Sequence, residues 1–470
     1  MKHLLELPGR GDQRISLENG ISPAIYPFAG YLWQDGENIV FKNGGPTCMP
    51  GWEEIITTAT PVMVLEQAYD EVDKTGRIYL GFASMLQLWQ ASRGIVTLGA
   101  GYGGSSWSLA PWGSWLIATN GVDPIQIWKG NYETQAVALG TSAADFTKAA
   151  LVTKLGPHLI VANVDGERGQ SRIVWSAEDD VENWDIADEA SLAGDLYIRD
   201  LESGIISMVP LGNELALYSK DTMSILTYKG APLIFGVEKI MSNIGSVGKN
   251  AVAVVEDKNI GMSRQGVWIT DGVASKYVDN PAMGDFIQED INWDAADKVV
   301  AFNDENSRMV VFYYPSGSST ENDAGVGFNY DTGAWTRFSF GRNAAIPRQV
   351  FSYPITAGGN KLYWQGSGTT ANGAAINSWI VSQPMDMGDV NIYKRLQHVQ
   401  LGMTGSGLTL KLGVQETLSD TVSYFFSETA GLHNYFQDRE TPLLTIRFEG
   451  NGPWSVTGII VDGVPTGRYV

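Results

Sequence analysis

Short apolar runs alternate with polar residues through most of this chain, and Gly, Asn or Asp cuts each run after a few positions. In "WGSWLIATNGVDPIQIWKG" the run Trp115 to Ala118 meets Asn120-Gly121, a strong hairpin signal, and Ile125 and Ile127 then alternate up to Trp128. The scheme recurs at Leu159 to Ala162, turning at Asp165-Gly166 before Ile173 to Trp175, and at Leu215 to Tyr218, turning at Lys220-Asp221 before Ile225 to Tyr228. A further copy turns at Gln265-Gly266 before Val267 to Ile269. Period-two patterning joined by turn residues predicts antiparallel strands.

Each unit closes on an aromatic. Trp89, Trp128, Trp175, Tyr228 and Trp268 are separated by 39, 47, 53 and 40 residues, which suits one four-stranded sheet per unit. A lone sheet of that size leaves both faces wet, whereas sheets stacked around an axis bury them, so the pattern predicts an all-β chain with a six- or seven-bladed β-propeller. The aromatics are expected to pack between blades. The predicted division is 1–60, an N-terminal arm and hairpin completing a blade; 61–375, the propeller; and 376–470, a C-terminal β-sandwich-like domain, where longer strands such as "LLTIRFEGNG" replace the blade rhythm. "QGSGTTANGAAINS" reads as the linker before it.

Two stretches depart from the rhythm. Ser176 to Gly204 holds ten acidic residues against Arg199 alone, which predicts a solvated loop with a helical turn around Asp179 to Trp184. Met283 to Asp297 spaces Phe286, Ile287, Ile291 and Trp293 for a short amphipathic helix.

With 470 residues, 44% of them hydrophobic, the chain can bury a large core. Its net charge of −20 argues against the clustered Lys and Arg that grip phosphates. No apolar run is long enough to span a bilayer, and Pro8, Arg10 and Asp12 interrupt the start before a signal-peptide core forms, so a soluble chain with no membrane partner is expected. Cys48 is the only cysteine, which excludes an intrachain disulfide and a thiolate metal cage.

Candidate chemistry is sparse. His3, His158, His398 and His433 are scattered without metal-ligand spacing. "GAGYGG", Gly99 to Gly104, matches a dinucleotide fingerprint but is followed by turn and strand rather than the helix that receives a pyrophosphate, so it reads as a loop between blades. "GRGD" at 9–12 is read as a chance match to an adhesion motif. "NYDTGAW" at 329–335 is one residue short of a sialidase Asp-box, and no nucleophile elbow occurs. Neither a cofactor nor a catalytic residue is expected.

The stretch "WQDGENIVFKNGGPTCMPGW", with Asn38, Phe41, Gly44, Gly51 and Trp52, resembles the N-terminal pattern of the tail hub, nozzle or DNA-stabilisation proteins of short-tailed bacteriophages. The likeness continues in "IVWSAEDDVENWD" (Trp175, Trp184), "GMSRQGVWITDG" (Trp268), "FNYDTGAW" (Trp335) and "WSVTGIIVDGVPTGRYV" (Trp454, Arg468), and so runs along the whole chain. The resemblance implies a propeller with an added β domain, assembled as a homo-hexameric ring below the portal and adaptor. It also implies neighbours among the tail fibre or spike and needle or plug proteins, and a place in the virion after synthesis in the host cytoplasm.

Under that resemblance the role is mechanical: retaining packaged double-stranded DNA and conducting it during ejection without sequence-specific binding. Six copies at −20 each carry −120, and acidic groups facing the lumen would keep DNA from adsorbing to the wall. The candidates are Asp179, Asp180, Glu182, Asp185, Asp188 and Glu189, then Asp285, Glu289 and Asp290. A receptor- or glycan-binding propeller, favoured by aromatic loops such as Trp107 to Trp115, and a propeller glycosidase are the alternatives.

Overall fold

A computed structural model describes residues 4–6, 14–16, 20–22, 32–42, 44–104, 106–166, 169–201, 203–278, 281–386, 391–431 and 434–468. Most of the arm 1–25, the "GRGD" stretch, His3 and His433 lie outside them.

Seven four-stranded antiparallel sheets make the propeller. Blades 1 to 6 span 64–100, 108–138, 149–197, 207–242, 252–277 and 300–338. Blade 7 takes three strands from 344–365 and its fourth from the strand Trp52–Thr57, which pairs antiparallel with Lys361–Gln365. That late partner closes the ring without a covalent link. The seam is fixed by Thr58 N–H to Asn360 O at 2.7 Å, by Lys361 Nζ to Glu54 Oε2 at 2.7 Å, and by Gly51, where a Cβ would meet Thr370 O at 2.3 Å.

All five rhythm-setting aromatics fall on the third strand of their blades: Met85–Gln90, Gln126–Trp128, Arg172–Trp175, Thr222–Tyr228 and Gly266–Thr270. Their rings reach the neighbouring blade as expected. Trp128 meets Tyr79 at 6.4 Å, Trp175 meets Phe235 at 5.1 Å, and Trp268 stacks on Tyr218 at 5.1 Å. Trp89 meets Trp364 of blade 7 at 6.4 Å. Tyr228 departs from the pattern, being 39% exposed while touching His158 of blade 3. The buried clusters follow the same logic: one lies between blades 1 and 2, another between 5 and 6, another between 7 and 1. Fully burying one such aromatic contributes about 1.5–3 kcal/mol.

The rest of the chain is a two-sheet sandwich. One sheet orders Trp33–Glu37, Ser378–Ser382, Leu443–Gly450, Leu408–Gln415 and Ser423–Thr429; the other is built around Ile392–Gly405 paired with Trp454–Arg468. Residues 33–48, expected to belong with a blade, therefore join the sandwich, and only 52–57 completes the ring. Local patterning cannot divide them, because both pairings span more than 300 positions. Sandwich and propeller share one apolar cluster that runs from Val399, Ile446 and Trp454 to Phe302, Tyr313 and Phe338 of blade 6. Asn38 staples the joint in a left-handed backbone (φ 57°), with Nδ2 donating to Asn377 O at 2.8 Å and N–H to Arg337 O at 2.9 Å.

The stretch Asp179 to Trp184 is not helical, which corrects the expected turn of helix. Its side chains bond their own backbone instead. Asp180, Asn183, Asp185 and Asp188 each accept the amide two residues on, at 3.0 to 3.1 Å, and such Asx turns compete directly with helix formation. The expected helix forms at Pro281–Asp290, with Met283, Ile287 and Ile291 buried between blades 5 and 6.

Candidate functional site

The first strand of each blade touches the first strand of the next, and blade 7 returns to blade 1, so seven inner strands enclose an axial channel. It holds a cavity of about 350 Å³ whose wall mixes apolar side chains such as Leu109, Val152, Ala253 and Ile346 with polar ones such as Gln67, Ser108, Thr153 and Gln349. Among the described residues that line it, Glu66 and Lys249 alone are ionisable.

Lys249 precedes the inner strand of blade 5 and reaches across the mouth. Its Nζ donates to Ser106 O at 2.7 Å and to Ala150 O at 2.8 Å, carbonyls at the starts of blades 2 and 3. Burial lowers its pKa to about 8. A smaller cavity of about 120 Å³, lined by Met63, Ser106 and Val300 among others, shares Trp107, Lys249 and Asn250 with the larger one.

Glu66 and Asn303 lie deeper. Each stands three residues beyond a mouth residue, Met63 and Val300 respectively, which sets both roughly 10 Å along the axis at a strand's rise. Glu66 Oε1 accepts its neighbour's amide, Gln67 N–H, at 2.8 Å, and burial raises its pKa to about 7. Asn303, 6% exposed, donates Nδ2 to Val254 O at 3.2 Å, and its Oδ1 is buried with no donor among the described residues.

The acidic candidates lie elsewhere. Asp179, Asp180, Glu182, Asp185, Asp188 and Glu189 are all exposed, in the loop between the third and fourth strands of blade 3. Trp184, 1% exposed, anchors that loop by packing on Phe146 at 5.5 Å, and Glu182 pairs with Lys129 at 2.8 Å. Asp285 and Glu289 are exposed on the helix that connects blades 5 and 6, whereas Asp290 accepts from Tyr314 Oη at 2.7 Å. Strand direction reverses along a blade, so third-to-fourth loops leave one face of the disc and blade-to-blade connections leave the other. The fold thus brings the first six together and separates them from the other three; none lines the propeller's own channel.

The motif positions are structural. Asn38, Phe41, Trp175, Trp184, Trp268, Trp335 and Trp454 are buried; Trp52 packs on Phe340 at 4.8 Å; Gly51 sits in the seam; and Arg468 ends the last strand. "NYDTGAW" forms a turn in which Asn329 Oδ1 accepts two amides and Asp331 receives both Nε and Nη2 of Arg308. Trp107, 2% exposed, donates to Phe82 O at 2.7 Å and lines the two axial cavities rather than the outer surface. Cys48 is buried, which raises its thiol pKa. Among the described residues no cluster of His, Cys, Asp and Glu could hold a metal ion, and no helix is long and apolar enough to cross a membrane.

Local patterning does not mark the channel residues. In "VLEQAYD" Glu66 reads as an ordinary outward position of an alternating strand, and only the blade phase turns it towards the axis.

No family model and no curated protein matches the chain. Solved structures that it resembles include a chain of the mitotic checkpoint complex, at 11% identity over 67% of this chain and 92% of that one with a TM-score of 0.45. YCF48 from Cyanidioschyzon merolae is similar at 11% identity, over 67% and 97% of the two chains with a TM-score of 0.41. A chain from the complex of BBS1N with ARL6DN is similar at 9% identity, over 67% and 97%, with a TM-score of 0.42. The chain is an all-β protein carrying a β-propeller.

Proposed function

We propose that this chain is a non-enzymatic wall component of a short-tailed phage virion, a ring below the portal and adaptor that retains packaged DNA and conducts it at ejection. The ordered series of motifs from Asn38 to Arg468 supports the reading, because Asn38, Phe41, Trp175, Trp184, Trp268, Trp335 and Trp454 are buried at the joint and among the blades and so carry a shared architecture rather than a shared active site. Charge supports it as well. Six acids crowd one exposed loop, and among the described residues only Glu182 of the six is ion-paired, so a strongly negative edge stands ready to repel phosphates.

The propeller channel is not the conduit. A cavity of about 350 Å³ crossed by a lysine cannot admit a duplex whose major groove alone is about 12 Å wide. In this reading DNA runs between copies, past the acidic loop.

The test is DNA release from particles carrying Asp179→Asn, Asp180→Asn, Glu182→Gln, Asp185→Asn, Asp188→Asn and Glu189→Gln together. Asn keeps the turn-forming Oδ1 and removes only charge, so the loop survives. Release slowed several-fold is expected; wild-type kinetics would remove this loop from the conduit.

A further inference from the structure

Lys249 is held by neutral groups. Its Nζ donates to Ser106 O at 2.7 Å and to Ala150 O at 2.8 Å, and among the described residues no carboxylate pairs with it. Other lysines are placed differently: Lys74, Lys129 and Lys361 each sit 2.7 or 2.8 Å from a carboxylate, which keeps an amine protonated. Lys249 is half-buried and borders both axial cavities. The ionisable groups that line those cavities with it are Glu66, Asp297, Lys298 and Glu321, of which Lys298 and Glu321 pair with each other at 2.5 Å. Burial without a counter-ion lowers the pKa of Lys249 to about 8, so a large share of this amine is neutral in mildly alkaline water. A neutral amine has two protons, which the two carbonyls can keep, and its lone pair takes the remaining tetrahedral position.

We propose that Lys249 is a nucleophilic amine that accepts a short acyl group from a neutral thioester, with the acyl group housed in a cavity beside it. Nζ adds to the thioester carbonyl carbon; a C–N bond forms as the C–S bond breaks, and the departing sulfur takes the proton that the nitrogen gives up. The product amide keeps one N–H for one of the two carbonyls. It carries no charge, so acylation removes an ammonium that burial disfavours. An acetyl group is small beside either cavity, about 350 and 120 Å³. Charge selects the neutral donor: with Asp297 and Glu321 at the smaller cavity and −20 on the chain, an anionic donor such as an acyl phosphate is repelled. The modification is of the chain itself, needs no catalytic group, and does not depend on ring assembly.

Treatment of the folded chain with a limiting amount of N,S-diacetylcysteamine, followed by site-resolved mass spectrometry, tests this. At about pH 7.5 Lys249 is expected to be acetylated at least about tenfold faster than Lys74, because the gain in neutral amine outweighs the lower basicity of the nucleophile. Its rate should level off above about pH 8, whereas that of Lys74, whose pKa Glu71 raises above 10.5, keeps climbing. Acetyl phosphate in place of the thioester should narrow the lead, and unfolding in urea should erase it. An acetylation rate at Lys249 no greater than at Lys74, a rate that climbs in parallel with it to about pH 10, a wider lead with acetyl phosphate, or a lead that survives unfolding would each overturn the proposal.

Discussion

Glu66 in the channel and Glu182 on the rim carry the same carboxyl group in opposite surroundings. Glu182 is 46% exposed at its side chain and sits 2.8 Å from Lys129, where water and salt screen whatever it does. Glu66 lies within the ring with no cation beside it among the described residues, and burial raises its pKa. The fold tolerates a crowd of acids on one face at small cost, and bears a real cost for a single acid inside. A residue that the fold would be more stable without is a better pointer to function than one of many solvated charges.

Breaking a buried charge pair should have the largest effect. Arg77 and Asp70, whose side chains are 3% and 0% exposed, are ion-paired inside blade 1, and Arg77 also donates to Tyr132 Oη and Ser114 O of blade 2. Arg77→Ala leaves Asp70 buried without its cation, with Tyr132 Oη and Val72 N–H still donating to it, and should cost about 3–5 kcal/mol in denaturant unfolding. A loss below about 1 kcal/mol would mean that water reaches the site.

Neutralising Glu66 should do the reverse, and only above a certain pH. Its pKa rises from 4.5 to about 7 on folding, so its contribution is intact below about pH 4.5 and is lost as pH climbs through about 7. Glu66→Gln should therefore match the wild type at pH 4 and exceed it by about 1–3 kcal/mol at pH 7.5. Lys249, with a pKa lowered to about 8, changes charge mostly above that window. A pH-independent difference would show that the carboxyl is solvated in the folded chain.

The rim should respond least. The six amide replacements are expected to shift stability by no more than about 0.5 kcal/mol each. Asp180→Ala, Asp185→Ala and Asp188→Ala remove the oxygens that hold the turns and should loosen the loop, read as faster amide exchange across 177–193. Equal exchange in the Asn and Ala sets would mean that Trp184 alone holds the loop.

The repeat was legible because each blade is a local event: hairpins at Asn120-Gly121 and Asp165-Gly166, and a large aromatic on the third strand of each of blades 1 to 5. What was not legible required partners far along the chain. Trp52–Thr57 becomes part of a blade only through Lys361–Gln365, and Trp33–Glu37 part of the sandwich only through Ser378–Ser382. Composition marks the acid-rich loop but not its conformation, because Asp and Asn there serve the backbone as well as the solvent. Glu66, Asn303 and Lys249 come together from three blades, and nothing in their local sequence marks them.

Electron microscopy of the purified chain mixed with its portal–adaptor complex tests the central claim most directly. The account predicts six propellers in a ring around an axial pore, with the loop 177–193 of each copy turned towards that pore. A chain that stays monomeric beside the complex, or a ring whose pore is walled by basic surface while that loop faces outward, would contradict it.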